Sequence, residues 1–114
     1  MSSYLWVHTG ITAHPGSADH LQEITLKGRR ICLIRRDGVW RATDGRCPHA
    51  GGPFAAGHIS PEGKLICPWH RFAFDLETGA SDSGGYCIHV YRVRITQDQL
   101  WLRMPADKPW WKFW

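Results

Sequence analysis

Cys47-Pro48-His49 and Cys67-Pro68-Trp69-His70 each set one thiol and one imidazole in a short segment, with seventeen residues, Ala50 to Ile66, between His49 and Cys67. Thiolate and neutral imidazole both bind borderline-soft metals well. Two chemistries suit a set of two Cys and two His. One is a tetrahedral structural zinc site. The other is a bridged pair of irons held asymmetrically, with the thiolates on one iron and the imidazoles on the other. Zinc modules usually pair Cys with Cys and His with His, as C-x2-4-C followed by H-x3-5-H. Here each half mixes the two types, and the first half leaves a single residue between its ligands. The spacing favours the iron pair, a centre that moves single electrons; a zinc-stabilised binding module is the competing class.

Such a site needs stiff loops on a rigid support. Pro48 and Pro68 restrict the backbone inside the two loops. Gly51-Gly52-Pro53 lets the first loop double back where a side chain would collide with the site. On either side of these loops the pattern is that of short strands. Tyr4 to Val7, Gln22 to Leu26, Arg29 to Arg35 and Val39 to Thr43 read as strands, the last two joined by the hairpin signal Asp37-Gly38. Arg29 to Arg35 puts Ile31, Leu33 and Arg35 on one face and Cys32 and Ile34 on the other. Periodicity stops from Asp44 to Pro61. Short strands follow at Lys64 to Cys67 and Arg71 to Asp75. Tyr86 to Thr96 reads as the longest alternating strand, with Cys87, His89, Tyr91, Val93 and Ile95 on one side, and Leu100 to Met104 pairs back on it.

The expected fold is therefore all-β: antiparallel sheets forming a base barrel or sandwich, with an inserted metal-binding subdomain at about 44–79. The domain runs over 1–104, and 105–114 is a Trp-rich tail. Twelve Gly, seven Pro and no long helical period agree with this. At 114 residues, 43 % of them hydrophobic, there is room for one domain with a modest core, which a metal clip would reinforce.

The formal charge is +4, but its arginines (Arg29, Arg30, Arg35, Arg36, Arg92, Arg94) are scattered and mostly alternate with apolar residues, as on the wet face of a sheet. That argues against nucleic-acid binding and fits an acidic redox partner. The opening MSSYLWVHTG has too short an apolar run for a signal peptide or membrane span. A cytoplasmic protein is expected, with cysteines that ligate metal rather than form disulfides. Cys32 and Cys87 read as buried free thiols.

CPHAGGPF (Cys47 to Phe54) and CPWHRFAFDLETG (Cys67 to Gly79) resemble the two cluster-binding loops of Rieske-type [2Fe–2S] ferredoxins. The resemblance implies one [2Fe–2S] cluster, with Cys47 and Cys67 on one iron and His49 and His70 on the other, and no catalytic residues. It implies antiparallel sheets with the cluster at one tip and the two His near solvent as the electron exit. Replacing two thiolates by neutral imidazoles removes negative charge and raises the potential relative to all-Cys clusters. Rieske proteins of the cytochrome bc complexes add a disulfide between the loops; the corresponding positions here look like Gly52 and Trp69. That branch also places Ser and Tyr hydroxyls against sulfur, where this chain has Phe72 and Phe74. Losing those hydrogen bonds implies a low potential, around −150 mV. The resemblance points to the ferredoxin component of a multicomponent oxygenase, with a flavoprotein reductase as donor and an oxygenase as acceptor. The alternative is the small subunit of an assimilatory NADH-dependent nitrite reductase.

Outside the motif, His89 reads as a core residue, and His8, His14 and His20 as solvated. His58 has no evident role. Arg46 and Arg71 flank ligands, either as plain solvated charge or as a positive rim that steers a partner. Trp110, Trp111, Phe113 and Trp114 are dense enough that the tail is expected to pack on its own barrel or dock on a partner.

Overall fold

The computed structural model describes residues 4–13, 18–48, 51–69, 71–82 and 84–105. The tail residues 106–114, with all four of its large aromatics, lie outside this set, as do His14, His49 and His70. The fold is all-β, as expected, and built from three antiparallel sheets. Strands β1 (Tyr4–Thr12), β10 (Gln99–Pro105) and β9 (Val93–Thr96) form the first, in the order β1-β10-β9. Strands β2 (His20–Leu26), β3 (Arg29–Arg36), β4 (Val39–Asp44) and β8 (Val90–Tyr91) form the second, in that order. The third is small and comes from the middle of the chain: β5 (His58–Ile59), β6 (Lys64–Ile66) and β7 (Ala73–Asp75).

The second sheet is the spine of the molecule, because both its faces are covered. On β3, Ile31, Cys32, Leu33 and Ile34 are buried in succession. Ile31 and Leu33 join Trp40, Ala42 and Tyr91 against Leu100, Leu102 and Met104 of β10, forming the base core. Cys32 and Ile34 point the other way and join Phe54, Leu65, Phe74 and Ile88. A strand buried on both sides reads as an unbroken apolar run, and RRICLIRR has that pattern between its terminal arginines. The Asp37-Gly38 turn has φ of 52° and 78°, the left-handed pair of a type I′ hairpin. It fixes the β3–β4 register that places Leu33 opposite Ala42.

The stretch Tyr86 to Thr96 is not one strand. Cys87 makes an isolated bridge to Ala80, β8 pairs with β4, and β9 pairs with β10. Arg92 is the crossing point between two sheets. A chain that changes sheet has no single core face to alternate against. Ile88 is therefore buried in one core and Tyr91 in the other, while Ile95 is exposed. For the same reason His89 is on the surface rather than in the core, its ring tilted on that of Tyr91 at 4.8 Å. Cys87 is likewise exposed, whereas Cys32 is fully buried as expected. Burial pushes the Cys32 thiol up to about 12, so it stays protonated.

Candidate metal centre

The two ligand loops grow from the ends of strands in two different sheets, β4 of the second and β6 of the third. The first leaves β4 at Asp44, runs through Gly45-Arg46-Cys47-Pro48, and returns at Gly51-Gly52-Pro53. Its neck is an antiparallel bridge between Arg46 and Pro53. The second leaves β6 at Ile66 and re-enters the small sheet at Ala73. The two loops close in the same way. The Cys47 amide donates to the Gly52 carbonyl at 2.9 Å, and the Cys67 amide to the Phe72 carbonyl at 2.9 Å, five residues on in each case. Two matching turns thus bring two cysteine thiols next to each other.

Both thiols are buried and free, with Cys47 1 % and Cys67 0 % exposed. Burial pushes the Cys67 thiol above its ordinary range; the Trp69 amide works against that shift, and the adjacent Cys47 thiol adds to it. Two buried sulfurs this close cannot both ionise unless a cation lies beside them. The pair is suited to a metal, and its members are not bridged to each other.

Gly52 shows how tightly the loops meet. A Cβ at that position would lie 2.8 Å from the Cys67 Sγ and 3.2 Å from the Trp69 ring. The first loop does double back on the site, as the Gly-Gly-Pro run predicts. Beneath the thiols lie Phe54 and Phe74, both fully buried and packed edge-to-face with centroids 5.4 Å apart. Such a pair gives about 0.5–1.5 kcal/mol beyond its buried area. Phe72 is half-buried and stacks edge-on against Tyr86 at 5.6 Å. Pro48 and Trp69 are exposed, Trp69 by 50 %, so the thiols sit just under the surface.

The structure brings Cys47 and Cys67 together. His49 and His70 fall outside the described residues, and among the described residues no three metal-binding side chains converge. His58 is exposed on β5. Arg71 is exposed and left-handed at φ 55°, the bend that brings the chain back from the second loop.

Two supports escaped the sequence reading. Arg46 is no free rim charge: its guanidinium donates to both carboxylate oxygens of Glu23 on β2, at 2.9 and 3.1 Å. The hydrogen bond from Arg46 is the main cause holding the Glu23 carboxyl below its ordinary range. Asp44, the residue before the first loop, accepts the His89 amide at 2.8 Å and the Tyr91 hydroxyl at 3.0 Å. Both contacts join residues far apart in sequence, so no local pattern announces them.

A family profile for the Rieske [2Fe-2S] domain matches residues 11–91, spanning both loops and the central sheet. The chain belongs to this family. Its cofactor is one Rieske [2Fe–2S] cluster, and two buried, unbridged thiols suit the sulfur half of that donor set. Human apoptosis-inducing factor 3 is 29 % identical over 85 residues, which is 73 % of this chain and 14 % of that protein. The ferredoxin component of the alkene monooxygenase system of Xanthobacter autotrophicus is 29 % identical over 57 % of this chain and 54 % of its own length. The chain thus spans between about a seventh and about half of these relatives. In solved structures, the ferredoxin of carbazole 1,9a-dioxygenase from Nocardioides aromaticivorans shares the fold. Its TM-score is 0.71 at 23 % identity, over 89 % of this chain and 98 % of that one. A Mycobacterium tuberculosis protein described as an NADH-dependent nitrite reductase small subunit gives 0.76 at 18 % identity, over 93 % and 98 %. No helix among the described residues is long and apolar enough to cross a membrane.

Proposed function

We propose that this Rieske chain carries one electron at a time between larger redox proteins, as the ferredoxin component of an oxygenase-type system. The observation that carries the reading is the Cys47–Cys67 pair, two buried free thiols facing each other just beneath an exposed rim. In this reading Cys47 and Cys67 hold one iron, and His49 and His70 hold the other. The bound cluster supplies a one-electron redox couple in the Rieske range, roughly −150 to +300 mV.

The chain's own residues do the rest. The matching amide closures after Cys47 and Cys67 hold the sulfurs in place, so little rearrangement accompanies electron uptake. Phe54 and Phe74 keep water from the inner side of the site. Neither Phe72 nor Phe74 has a hydroxyl to offer sulfur, which supports a midpoint near −150 mV. The subdomain is the insertion at about 44–79 within a domain running over 1–104. The donor in this reading is a flavoprotein reductase and the acceptor an oxygenase; cytoplasmic placement goes with those partners.

The likeness in fold and relative length to the nitrite reductase small subunit favours a second reading, a permanently bound subunit of such an enzyme. One experiment serves both. One portion of iron-loaded protein, handled anaerobically, is titrated with dithionite, and a second, still oxidised portion is mixed with a flavin reductase and NADH. A reddish-brown protein that bleaches on reduction, gives a paramagnetic signal and accepts electrons in transient encounters supports the carrier. Stable co-purification with a sirohaem–flavin subunit supports the second reading. A colourless, zinc-containing protein overturns both.

A further inference from the structure

The outer surface where the first two sheets meet carries a groove that electron transfer leaves unused. Its walls are Trp6 of β1, Trp40 and Arg41 of β4, Tyr91 and Arg92 at the sheet crossing, and Arg103 of β10, around a cavity of about 370 Å³. A second cavity of about 160 Å³ shares Tyr91, Arg92 and Arg103 and adds Tyr4 and His89. Rings and guanidinium groups line both cavities, and among the described residues no carboxylate does. The rings already stack with arginines: Arg103 over Tyr4 at 4.2 Å, Arg94 over Trp6 at 4.1 Å, Arg35 over Trp40 at 5.7 Å and Arg29 over Tyr91 at 5.9 Å. Arg92 is exposed. Among the described residues its side chain has no hydrogen bond, ion pair or ring partner.

β10, one wall of this groove, ends at Pro105, and Pro105 pairs in register with Tyr4 at the edge of the second cavity. The chain then continues as Ala-Asp-Lys-Pro-Trp-Trp-Lys-Phe-Trp, residues 106–114. Nine residues reach up to about 30 Å when extended, and the segment starts three residues beyond Arg103. Large aromatic rings gain most from leaving water, and they prefer surfaces where a cation can sit on the ring face. The segment carries two lysines and one carboxylate side chain, Asp107. Of the groove's guanidinium groups Arg41 already pairs with Glu77 at 3.6 Å, whereas Arg92 has no acid beside it among the described residues. Tethering also gives the segment a high effective concentration at this site compared with any free ligand.

We propose that residues 106–114 dock in this groove of their own chain, with the Trp110 and Trp111 rings stacking on the Arg92 and Arg103 guanidinium groups and against Trp6, Trp40 and Tyr91. The docked segment closes the seam between the two base sheets, whichever proteins exchange the electron. The test is photo-crosslinking in the full, cluster-loaded chain, with Phe113 replaced by p-benzoylphenylalanine, so that Trp110 and Trp111 are kept, and adducts mapped by mass spectrometry. Intrachain adducts to residues 4–12, 39–44, 90–93 or 99–105 are expected. Arg92→Ser, on an exposed side chain that folding does not need, lowers their yield severalfold, and adding Arg103→Ser brings the loss to about tenfold, the worth of two exposed cation–π contacts. Adducts between isotopically distinct copies would show that a second molecule fills the groove and overturn the proposal. So would adducts elsewhere on the chain, no adducts at all, or a yield indifferent to both arginines.

Discussion

The two faces of the central sheet are covered in different ways. On the base side, Ile31 and Leu33 meet β10, whose seven residues pair with β1 on one edge and β9 on the other. Each strand there is anchored by a neighbour, in unbroken register between β9 and β10 and with one register shift, between His8 and Thr12, along β1. On the cluster side, Cys32 and Ile34 meet strands of two, three and three residues, linked by loops. Strands so short contribute little by themselves. What holds that side together is the Phe54–Phe74 contact, the Arg46–Glu23 clamp and the two amide closures. A regular sheet carries its own stability; a site of irregular loops depends on a few specific contacts and on its metal.

The largest expected effect separates the two sides outright. Cys67→Ser removes a proposed iron ligand, so bound iron and visible absorption should disappear. The base sheets should persist by circular dichroism; if they melt as well, the base is not independent of the cluster. Next come two truncations of comparable cost. Leu102→Ala in the base should lose about 2–5 kcal/mol and Phe74→Ala about 3–5 kcal/mol in denaturant unfolding. Only Phe74→Ala should lower the iron content per folded molecule. Equal iron loss in both would erase the distinction between the sides.

Gly52→Ala is a finer probe. Its Cβ would crowd the Cys67 sulfur at 2.8 Å, so one loop must shift. Overpacking of this kind costs about 1–3 kcal/mol, and here the strain falls on the site. Faster iron loss to a chelator is expected, with an unchanged base melting transition.

The smallest effect is that of Glu23→Gln, and it depends on pH. Pairing with Arg46 lowers the folded carboxyl below its unfolded value. The pair's contribution is therefore present above the ordinary Glu range, about 4.3, and is lost as pH falls through the lowered folded value. Wild type should melt above the variant at pH 7 and converge with it near pH 3. A constant gap across that range would show that the clamp acts through shape rather than charge.

Much of this was legible in the chain itself, for local reasons. Mixed Cys and His pairs at fixed spacing marked the site. Asp37-Gly38 marked its hairpin because that dipeptide tolerates left-handed backbone. The alternation in β3 was read correctly as two faces, Ile31 and Leu33 against Cys32 and Ile34, and each found a different core. Reading failed where the chain leaves one sheet for another. From Tyr86 to Thr96 the alternation is real, but Arg92 hands the strand across. His89 and Cys87, on the expected inner side, therefore came out exposed.

From the amino-acid order alone came the Rieske family, the all-β class and the need for glycine where the loops double back, since each is a matter of residue type and near-neighbour spacing. Only the folded molecule decided that Cys47 and Cys67 share one buried space, that Arg46 answers to Glu23, and that Asp44 ties the first loop to Tyr91. Those contacts join segments about twenty to forty-seven residues apart, and such pairings are set by how sheets pack, which no local pattern encodes.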